Sequence, residues 1–289
     1  MTSHGTGIVD AGVVEVEGAR LPYRIEGDGQ PCIVVGSVAY YSRCFSRALR
    51  ERIQLVFVDM RHFVAADGDD LPGGNLMDTY ADDIERVRQA LALGDVVVIG
   101  HSSHATIALE YARRYSTHVR GVVMTGAPPY ASDDDYQAAS DRLWDATASE
   151  ERKALLARKR AELTAEVRGS LSPTELFLRE YLARGPSQWY DPAYDGAWLW
   201  EGVTLNMHVL ERLFQALADA TLDEGQITAP VLIAHGRFDY GAPYPLWEST
   251  LDKLPRHTFV LFDKSGHTPS LEEPERFDQT LLDWIARLS

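Results

Sequence analysis

Several features that mark other protein classes are missing from this chain. Only two cysteines occur among its 289 residues, which is too few for a cysteine-based zinc site, and no His-Glu-x-x-His motif is present. Cys32 and Cys44 stand beside apolar or aromatic residues, so we expect two buried thiols rather than a disulfide. From these absences we expect no metal and no cofactor.

Long apolar runs and basic surfaces are missing too. No run reaches the ~18 apolar residues that span a bilayer, and residues 1–7 lack the basic and apolar segments of a secretory signal. Lysine and arginine total 28 against 43 acidic residues, a formal net charge of -15, which argues against nucleic acid because phosphates require basic patches. We therefore expect a cytoplasmic protein that acts on a small molecule, with no membrane or nucleic-acid partner.

The most informative stretch is a strand that passes into a helix through a serine. Residues 96–99 form a β-branched run, typical of a strand buried on both faces. Gly100-His101-Ser102-Ser103 follows, and residues 104–112 form a helical pattern without a breaker. A serine at such a turn is exposed above the sheet, beside N–H groups at the start of a helix. The pattern predicts a nucleophile elbow, Gly-x-Ser-x-Gly, in which His104 replaces the last glycine.

Two later strands end in residues that complete a catalytic set. The strand at residues 229–236 is followed by Asp239, and the strand His257–Phe262 is followed by His267. Serine, aspartate and histidine in this order, each just past a strand, form the triad order of one large enzyme group. On these motifs the chain resembles the α/β-hydrolase superfamily over nearly its whole length. Asp263 stays open as an alternative acid.

The remaining chain alternates strands with helices. Residues 13–18 and 21–27 alternate polar and apolar side chains, which predicts an antiparallel hairpin at a sheet edge. Apolar strands are expected at residues 32–35, 54–59 and 119–125, and helices at residues 42–52, 79–93 and 274–288. The alternation predicts right-handed crossovers. We therefore predict an α/β-hydrolase fold, a mostly parallel twisted sheet with helices on both faces.

The alternation stops over residues 130–225, where the pattern is helical throughout. We predict an α/β core of residues 1–129 and 226–289, with residues 130–225 inserted before the acid-bearing strand as a helical cap. Within it, Thr147-x-x-Glu150 and Ser172-x-x-Glu175 predict capping boxes at helix starts.

The resemblance implies an acyl-enzyme mechanism. Ser102 would be the nucleophile, His267 the general base and Asp239 the group that orients the imidazole. The backbone N–H groups of Ser37 and Ser103 would hold the oxyanion. In the family the loop near Ser37 often reads His-Gly-Gly-Pro, of which this chain keeps only Gly36.

A second family pattern, Asp-x-Arg-Gly-x-Gly, is also incomplete. Asp59 and Arg61 match it after the strand at residues 54–59, whereas both glycines are missing. We interpret Asp59 and Arg61 as structural residues that fix a turn.

Aromatic residues concentrate in the predicted cap around residues 189–200. The segment from Trp198 to Glu201 is similar to a Trp-x-x-Trp-Glu segment of proline iminopeptidases, in which a cap glutamate holds the free amino group of the substrate. The resemblance implies that Glu201 is an amine anchor. The other expected substrate-binding residues are Trp198, Trp200, Tyr40, Tyr240 and His104, the last of which either lines the pocket or packs in the core.

Three functions stay open at this point. The first is a serine hydrolase that cleaves an ester, a lactone or a small amide. The second is a proline iminopeptidase-like aminopeptidase that uses Glu201. The third, motivated by His104 and the altered oxyanion loop, is a non-hydrolytic member of the fold that binds a ligand or closes a ring. A monomer or a homodimer is expected, because an edge hairpin leaves dimerisation open.

Overall fold

One eight-stranded sheet organises the chain, of which a computed structural model describes residues 8–65, 71–127, 133–222 and 225–288. The order across the sheet is β1-β2-β4-β3-β5-β6-β7-β8. The strands are β1 (Ile8–Val16), β2 (Ala19–Glu26), β3 (Gln30–Gly36), β4 (Ile53–Asp59), β5 (Val96–His101), β6 (Val119–Thr125), β7 (Val231–Gly236) and β8 (His257–Phe262). The residues predicted to lack a secretory signal, 1–7, lie outside the described ranges.

The pairing of the strands confirms the predicted sheet. β1 pairs with β2, and β2 with β4, in antiparallel orientation, which places a hairpin at one edge. The pairs from β3 and β4 through to β7 and β8 are parallel. The carboxyl ends of β5, β7 and β8 therefore meet at the same edge of the sheet, where parallel α/β sheets bind their ligands.

Helices cover both faces of this sheet. The helices of the described residues are α1 (Val38–Tyr41), α2 (Leu76–Ala90), α3 (His104–Arg114), α4 (Asp133–Thr147), α5 (Glu150–Ala161), α6 (Ala165–Ser170), α7 (Pro173–Ala183), α8 (Gly185–Gln188), α9 (Met207–Ala218), α10 (Pro269–Glu272) and α11 (Pro274–Ile285). Alternate residues of β3 enter two separate apolar clusters: Ile33 and Val35 join α2 and α3, while Cys32 and Val34 join α11. The alternation follows from the two-residue period of a strand.

Helices α4 to α9 lie between β6 and β7, where the sequence predicts a helical cap. The boundary expected at residues 129 and 130 lies outside the described residues, so the division into core and cap stays a prediction. In the described part of the chain, no helix is both long enough and apolar enough to cross a bilayer. Cys32 and Cys44 are free and buried, as expected.

The continuous helix predicted at residues 42–52 is wrong. α1 ends before this range, at Tyr41, and within it only a short 3-10 turn, Leu49–Glu51, forms. The Arg50 guanidinium explains the difference, because it donates to the carbonyl oxygens of Ser42 (2.6 Å) and Phe45 (2.7 Å). Those carbonyls face a side chain instead of the N–H groups four residues ahead, which a helix would require.

Caps account for other differences at helix ends. α2 begins three residues earlier than predicted, because Asn75 accepts from the Met77 N–H at 2.9 Å. The box predicted at Thr147 is wrong: Thr147 ends α4, and the cap of α5 is Ser149. The box at Ser172 is confirmed, with both reciprocal hydrogen bonds to Glu175 present.

A buried ion pair joins the end of β4 to α2. Arg61 donates to both carboxylate oxygens of Asp83, at 2.6 and 2.8 Å, and to the Glu17 carbonyl at 2.7 Å. Burial raises the pKa of the Asp83 carboxyl above its ordinary value, although the Arg61 charge and hydrogen bonds act to lower it. Asp83 is therefore held in a dry environment that requires a cation beside it.

We predict that Arg61→Met lowers the free energy of unfolding by about 3–5 kcal/mol, because Asp83 would stay buried without its partner. Urea unfolding followed by far-UV circular dichroism measures the change. Arg20→Met is the matched control, since its pair with Glu15 at 2.7 Å is solvent-exposed and such pairs contribute little. Equal losses in the two variants would contradict a structural role for the buried pair.

Candidate active site

Ser102 sits in a strained turn between β5 and α3. Its backbone φ is 54°, in the left-handed region that costs a non-glycine residue of the order of 1–3 kcal/mol. The Ser102 N–H donates to the Thr125 carbonyl at 2.9 Å, which ties the turn to β6. The strand, turn and helix of a nucleophile elbow are thus present, and the Ser102 side chain faces a cavity.

Gly100 permits the close approach of α3 to β5. A Cβ atom at this position would lie 2.4 Å from the His104 carbonyl oxygen and 2.5 Å from Ala105 Cα. Such distances are shorter than any tolerated contact, so only glycine fits before the turn.

Asp239 and His267 meet beside this elbow. The His267 Nδ1–H donates to Asp239 Oδ2 at 2.7 Å, and Asp239 Oδ1 accepts from the Ala242 N–H at 2.9 Å. Burial lowers the pKa of the His267 imidazole, but the charge and hydrogen bond of Asp239, with the charge of Glu272, outweigh it and leave the pKa raised. This tautomer leaves His267 Nε2 free to accept a proton, and His267 lines the same cavity as Ser102.

The backbone of His267 is fixed on both sides. Its N–H donates to the Gln188 carbonyl at 2.6 Å, and its carbonyl accepts from His101 Nε2 at 2.9 Å. Glu272 accepts from the N–H groups of Gly266 and Thr268 at 3.0 and 3.1 Å. Burial raises the pKa of Glu272 to about 7, although these hydrogen bonds oppose the change. The sequence analysis singled out neither Gln188 nor Glu272.

Asp263, the alternative acid, lies away from this pair. It is exposed and forms ion pairs with Arg237 at 2.6 Å and Arg276 at 3.5 Å. The geometry therefore favours Asp239 as the partner of His267.

The loop expected to supply an oxyanion donor is buried. Ser37 caps α1 by accepting from the Tyr40 N–H at 3.3 Å, and the next N–H, that of Val38, donates to Asp59 Oδ1 at 2.6 Å. Burial raises the pKa of Asp59 to about 6. Gly36 has a φ of 143° and lies under the Tyr41 ring, which a Cβ atom would meet at 2.1 Å. The second expected donor, the Ser103 N–H, stands at the start of α3.

A cavity of about 770 Å³ opens in front of Ser102 and His267. One wall is the apolar side of α9, which presents residues at helical spacing, and further apolar side chains extend it. These residues are Leu210, Phe214 and Leu217 of α9, with Phe63, Phe177, Leu205 and Leu222. Aromatic side chains also line the cavity: Tyr40 packs against Trp200 with ring centroids 5.0 Å apart, and its hydroxyl lies 3.1 Å from that of Tyr181.

The expected substrate-binding residues divide into two groups. Tyr40, Trp200 and His104 line the cavity. Trp198 is 40% exposed and donates from Nε1 to the Tyr194 hydroxyl at 2.9 Å.

Two further expected residues also lie away from the cavity wall. Tyr240 is buried against Trp144, with ring centroids 4.8 Å apart, outside the described lining. Glu201 is exposed and is absent from that lining.

The charge of the cavity wall is informative. Of the described residues that line it, none is an aspartate or a glutamate, while Arg184 and Lys253 contribute cationic side chains. An ammonium group would therefore meet no carboxylate among the lining residues that the structure describes.

Comparison with known proteins identifies the family. Residues 36–274 match the family model described as the alpha/beta hydrolase fold. The chain belongs to this family. An α/β-hydrolase superfamily protein of Bacillus subtilis, YclE, is 37% identical over 279 residues, which cover 95% of this chain and 98% of that protein.

Other relatives of this α/β-hydrolase carry hydrolytic activities in their names. A proline iminopeptidase of Heyndrickxia coagulans is 27% identical, over 95% of this chain and 98% of its own. The structure of an esterase from Exiguobacterium antarcticum aligns with a TM-score of 0.62 and 22% identity, covering 95% and 98% of the two chains. Membership of the alpha/beta hydrolase family makes the protein a hydrolase, whereas the likeness to the esterase structure shows the fold alone.

This hydrolase carries a chain of buried histidines and tyrosines behind its elbow. Tyr80 Oη lies 2.8 Å from His62 Nδ1, and His62 Nε2 lies 2.8 Å from His104 Nε2. His104 Nδ1 lies 2.9 Å from Tyr41 Oη, which lies 3.2 Å from His101 Nδ1. Of these groups, His62 and Tyr80 were missed in the sequence analysis.

Burial keeps the three histidines of this hydrogen-bonded series, His62, His101 and His104, uncharged. It lowers the pKa of His62 and of His101 well below the ordinary value, and that of His104 to about 4. Each of these imidazoles therefore carries one proton at neutral pH, and each can donate from only one of its two nitrogens.

We predict that Gly100→Ala lowers the free energy of unfolding by about 1–3 kcal/mol, because the added methyl group would push against the backbone of α3. Thermal unfolding measures the change. Gly94→Ala is the matched control, since nothing lies within 4 Å of a Cβ atom there. A Gly100 variant as stable as the control would show that the elbow can widen freely.

Proposed function

We propose that this hydrolase cleaves an ester, a lactone or a small amide that carries an apolar group, through an acyl-enzyme on Ser102. The observation that supports this most is the arrangement of Ser102 and the Asp239–His267 pair along one apolar cavity. The substrate is a small molecule, and no cofactor takes part in the proposed reaction.

The proposed reaction passes one proton through His267 in each of its two halves. His267 Nε2 accepts the proton of Ser102 as Oγ attacks the carbonyl carbon, and Asp239 stabilises the imidazolium that forms. The N–H groups of Ser37 and Ser103 stabilise the oxyanion. The tetrahedral intermediate expels the alcohol or amine, which takes the proton from His267. Water then attacks the acyl group as His267 takes one of its protons, and His267 returns that proton to Ser102 Oγ when the acid leaves.

The cavity wall supports an uncharged or anionic substrate. Arg184 and Lys253 are its cationic side chains, and no carboxylate lies among the described lining residues. The α9 wall, with Leu210, Phe214 and Leu217, offers an apolar surface at which an alkyl or aryl group loses its contact with water.

A proline iminopeptidase-like activity is the second candidate, favoured by the relative of that name. It needs a group that binds the free amine of the substrate. Glu201, the anchor expected from the sequence, is exposed and outside the described cavity lining. The esterase, lactonase or amidase activity is therefore the better supported of the two.

Two chromogenic substrates distinguish these activities: a p-nitrophenyl ester with an apolar acyl chain, and prolyl p-nitroanilide. We expect turnover of the ester only, and its loss in Ser102→Ala because no acyl-enzyme can form. Mass spectrometry after treatment with a fluorophosphonate should show one adduct, on Ser102.

Three other outcomes would contradict parts of this proposal. Turnover of the prolyl compound that disappears in Glu201→Ala would support the aminopeptidase. Ester turnover that survives in Ser102→Ala would exclude Ser102 as nucleophile. Neither turnover nor a fluorophosphonate adduct would favour the non-hydrolytic reading of the fold.

The pH profile of kcat/KM tests the roles of His267 and Asp239. The base must be neutral to accept a proton, so activity falls as the pH drops through the raised pKa of His267. Asp239→Asn removes the negative charge that raises this pKa, so the acid limb moves to lower pH. The plateau falls by about 10⁴-fold, because an asparagine favours the wrong imidazole tautomer.

Asp263→Asn is the matched control for this profile, because Asp263 is exposed and paired with arginines. It should leave the plateau and the acid limb where they are in the wild type. If Asp263→Asn lowers the plateau and Asp239→Asn does not, the roles of the two carboxylates are reversed.

A further inference from the structure

Two departures from the family pattern contact each other. His104 replaces the last glycine of the elbow pattern, and His62 follows Asp59 and Arg61 where Asp-x-Arg-Gly-x-Gly would have its first glycine. Both side chains are buried, their rings stack with centroids 5.0 Å apart, and their Nε2 atoms lie within hydrogen-bond distance. The two replacements thus form one structural unit.

The positions of the protons in this series of hydrogen bonds follow from the two ring nitrogens that contact carbonyl oxygens. His101 Nε2 lies 2.9 Å from the carbonyl oxygen of His267, and His104 Nδ1 lies 3.1 Å from the carbonyl oxygen of His101. A carbonyl oxygen only accepts, so both of these nitrogens must carry protons. In a neutral imidazole the other nitrogen then accepts, which assigns His101 Nδ1 and His104 Nε2 as acceptors.

These two assignments fix the donor and acceptor roles of the remaining groups. Tyr41 Oη donates to His101 Nδ1 and accepts from His104 Nδ1. His62 Nε2 donates to His104 Nε2, so His62 Nδ1 is an acceptor and Tyr80 Oη donates to it. No two donors face each other, and the Nδ1 proton of His104 is shared between two acceptors, the His101 carbonyl oxygen and Tyr41 Oη. Such a fully satisfied buried network holds its members in a single arrangement.

The series of hydrogen bonds connects the backbone segments that carry the groups of the proposed reaction. Tyr41 covers Gly36, which precedes Ser37, while His104 directly follows Ser103. The bond from His104 to Tyr41 therefore links the two segments that carry the expected oxyanion donors. At the other end, His101 holds the backbone carbonyl of His267.

We propose that His62, His104 and Tyr41 are positioning residues, which set the spacing of the oxyanion donors through one directional chain of hydrogen bonds. Their positioning role rests on the proposed acyl transfer at Ser102, whereas the hydrogen bonds between them do not depend on it. Loss of one link would displace a donor N–H group and slow the chemical step, without weakening substrate binding to the same degree.

The proposed proton positions of the three histidines can be tested without any activity measurement. Two-bond ¹H–¹⁵N spectra of protein labelled with ¹⁵N-histidine at pH 7 distinguish the two neutral tautomers and the charged ring. We expect Nε2–H tautomers for His62 and His101, and an Nδ1–H tautomer for His104. Assignment uses the signal lost in each single His→Gln variant. A charged ring, or an Nε2–H tautomer at His104, would overturn the assignment.

Steady-state kinetics with the p-nitrophenyl ester test the positioning role. Tyr41→Phe keeps the ring over Gly36 and removes the hydroxyl, so we expect kcat to fall by about 10- to 100-fold with KM nearly unchanged. Tyr23→Phe is the matched control, since the Tyr23 hydroxyl binds Asp10 on the exposed edge hairpin. Circular dichroism confirms that both variants are folded.

His62 allows a rescue experiment. An amide can replace Nε2–H as the donor to His104, so His62→Gln should retain most of kcat, whereas His62→Leu should lose as much as Tyr41→Phe. Equal activity in the glutamine and leucine variants, or an unchanged kcat in Tyr41→Phe, would overturn the positioning role. If Ser102→Ala keeps full activity, the proposed function fails instead, and the tautomer measurement still tests the direction of the hydrogen bonds.

Discussion

The left-handed backbone at Ser102 is the constraint around which this site is built. A serine reaches this conformation only where its neighbours force it, and here β5 and α3 approach so closely that Gly100 has no room for a side chain. The hydrogen bond from the Ser102 N–H to β6 holds the turn in the sheet. The packing around the turn therefore stabilises the fold by more than the strained backbone of Ser102 costs. The parallel register then brings the loops after β7 and β8 to the same edge.

Residues of the predicted cap help to hold the His267 backbone as well as line the cavity. The Gln188 carbonyl accepts from the His267 N–H, and the buried Arg152 donates to the carbonyls of Pro186 and Trp189 on either side. The Tyr190 N–H donates to Glu272 at 2.7 Å. Because the segment around Gln188 and the His267 loop share these bonds, movement of one would disturb the other.

Patterns with a local physical cause were readable in the sequence. The β-branched run before Ser102 and the strands before Asp239 and His267 predicted the sheet and the placement of these residues at its edge. Arg50 illustrates what such patterns miss, because its guanidinium takes carbonyls that a helix would have used. Glu201 illustrates the same limit for a pocket, since similarity of a short segment did not specify which way its side chain faces.

The two histidines explain why departures from a family pattern should be considered together. A buried imidazole that replaces one glycine carries a donor and an acceptor, and either one left unpaired would destabilise the core. His104 alone would leave its Nε2 without a donor; His62 supplies that donor and finds its own in Tyr80. Each departure taken singly suggests a damaged site. As a pair they form a satisfied network, because each histidine supplies or receives the hydrogen bond that the other needs.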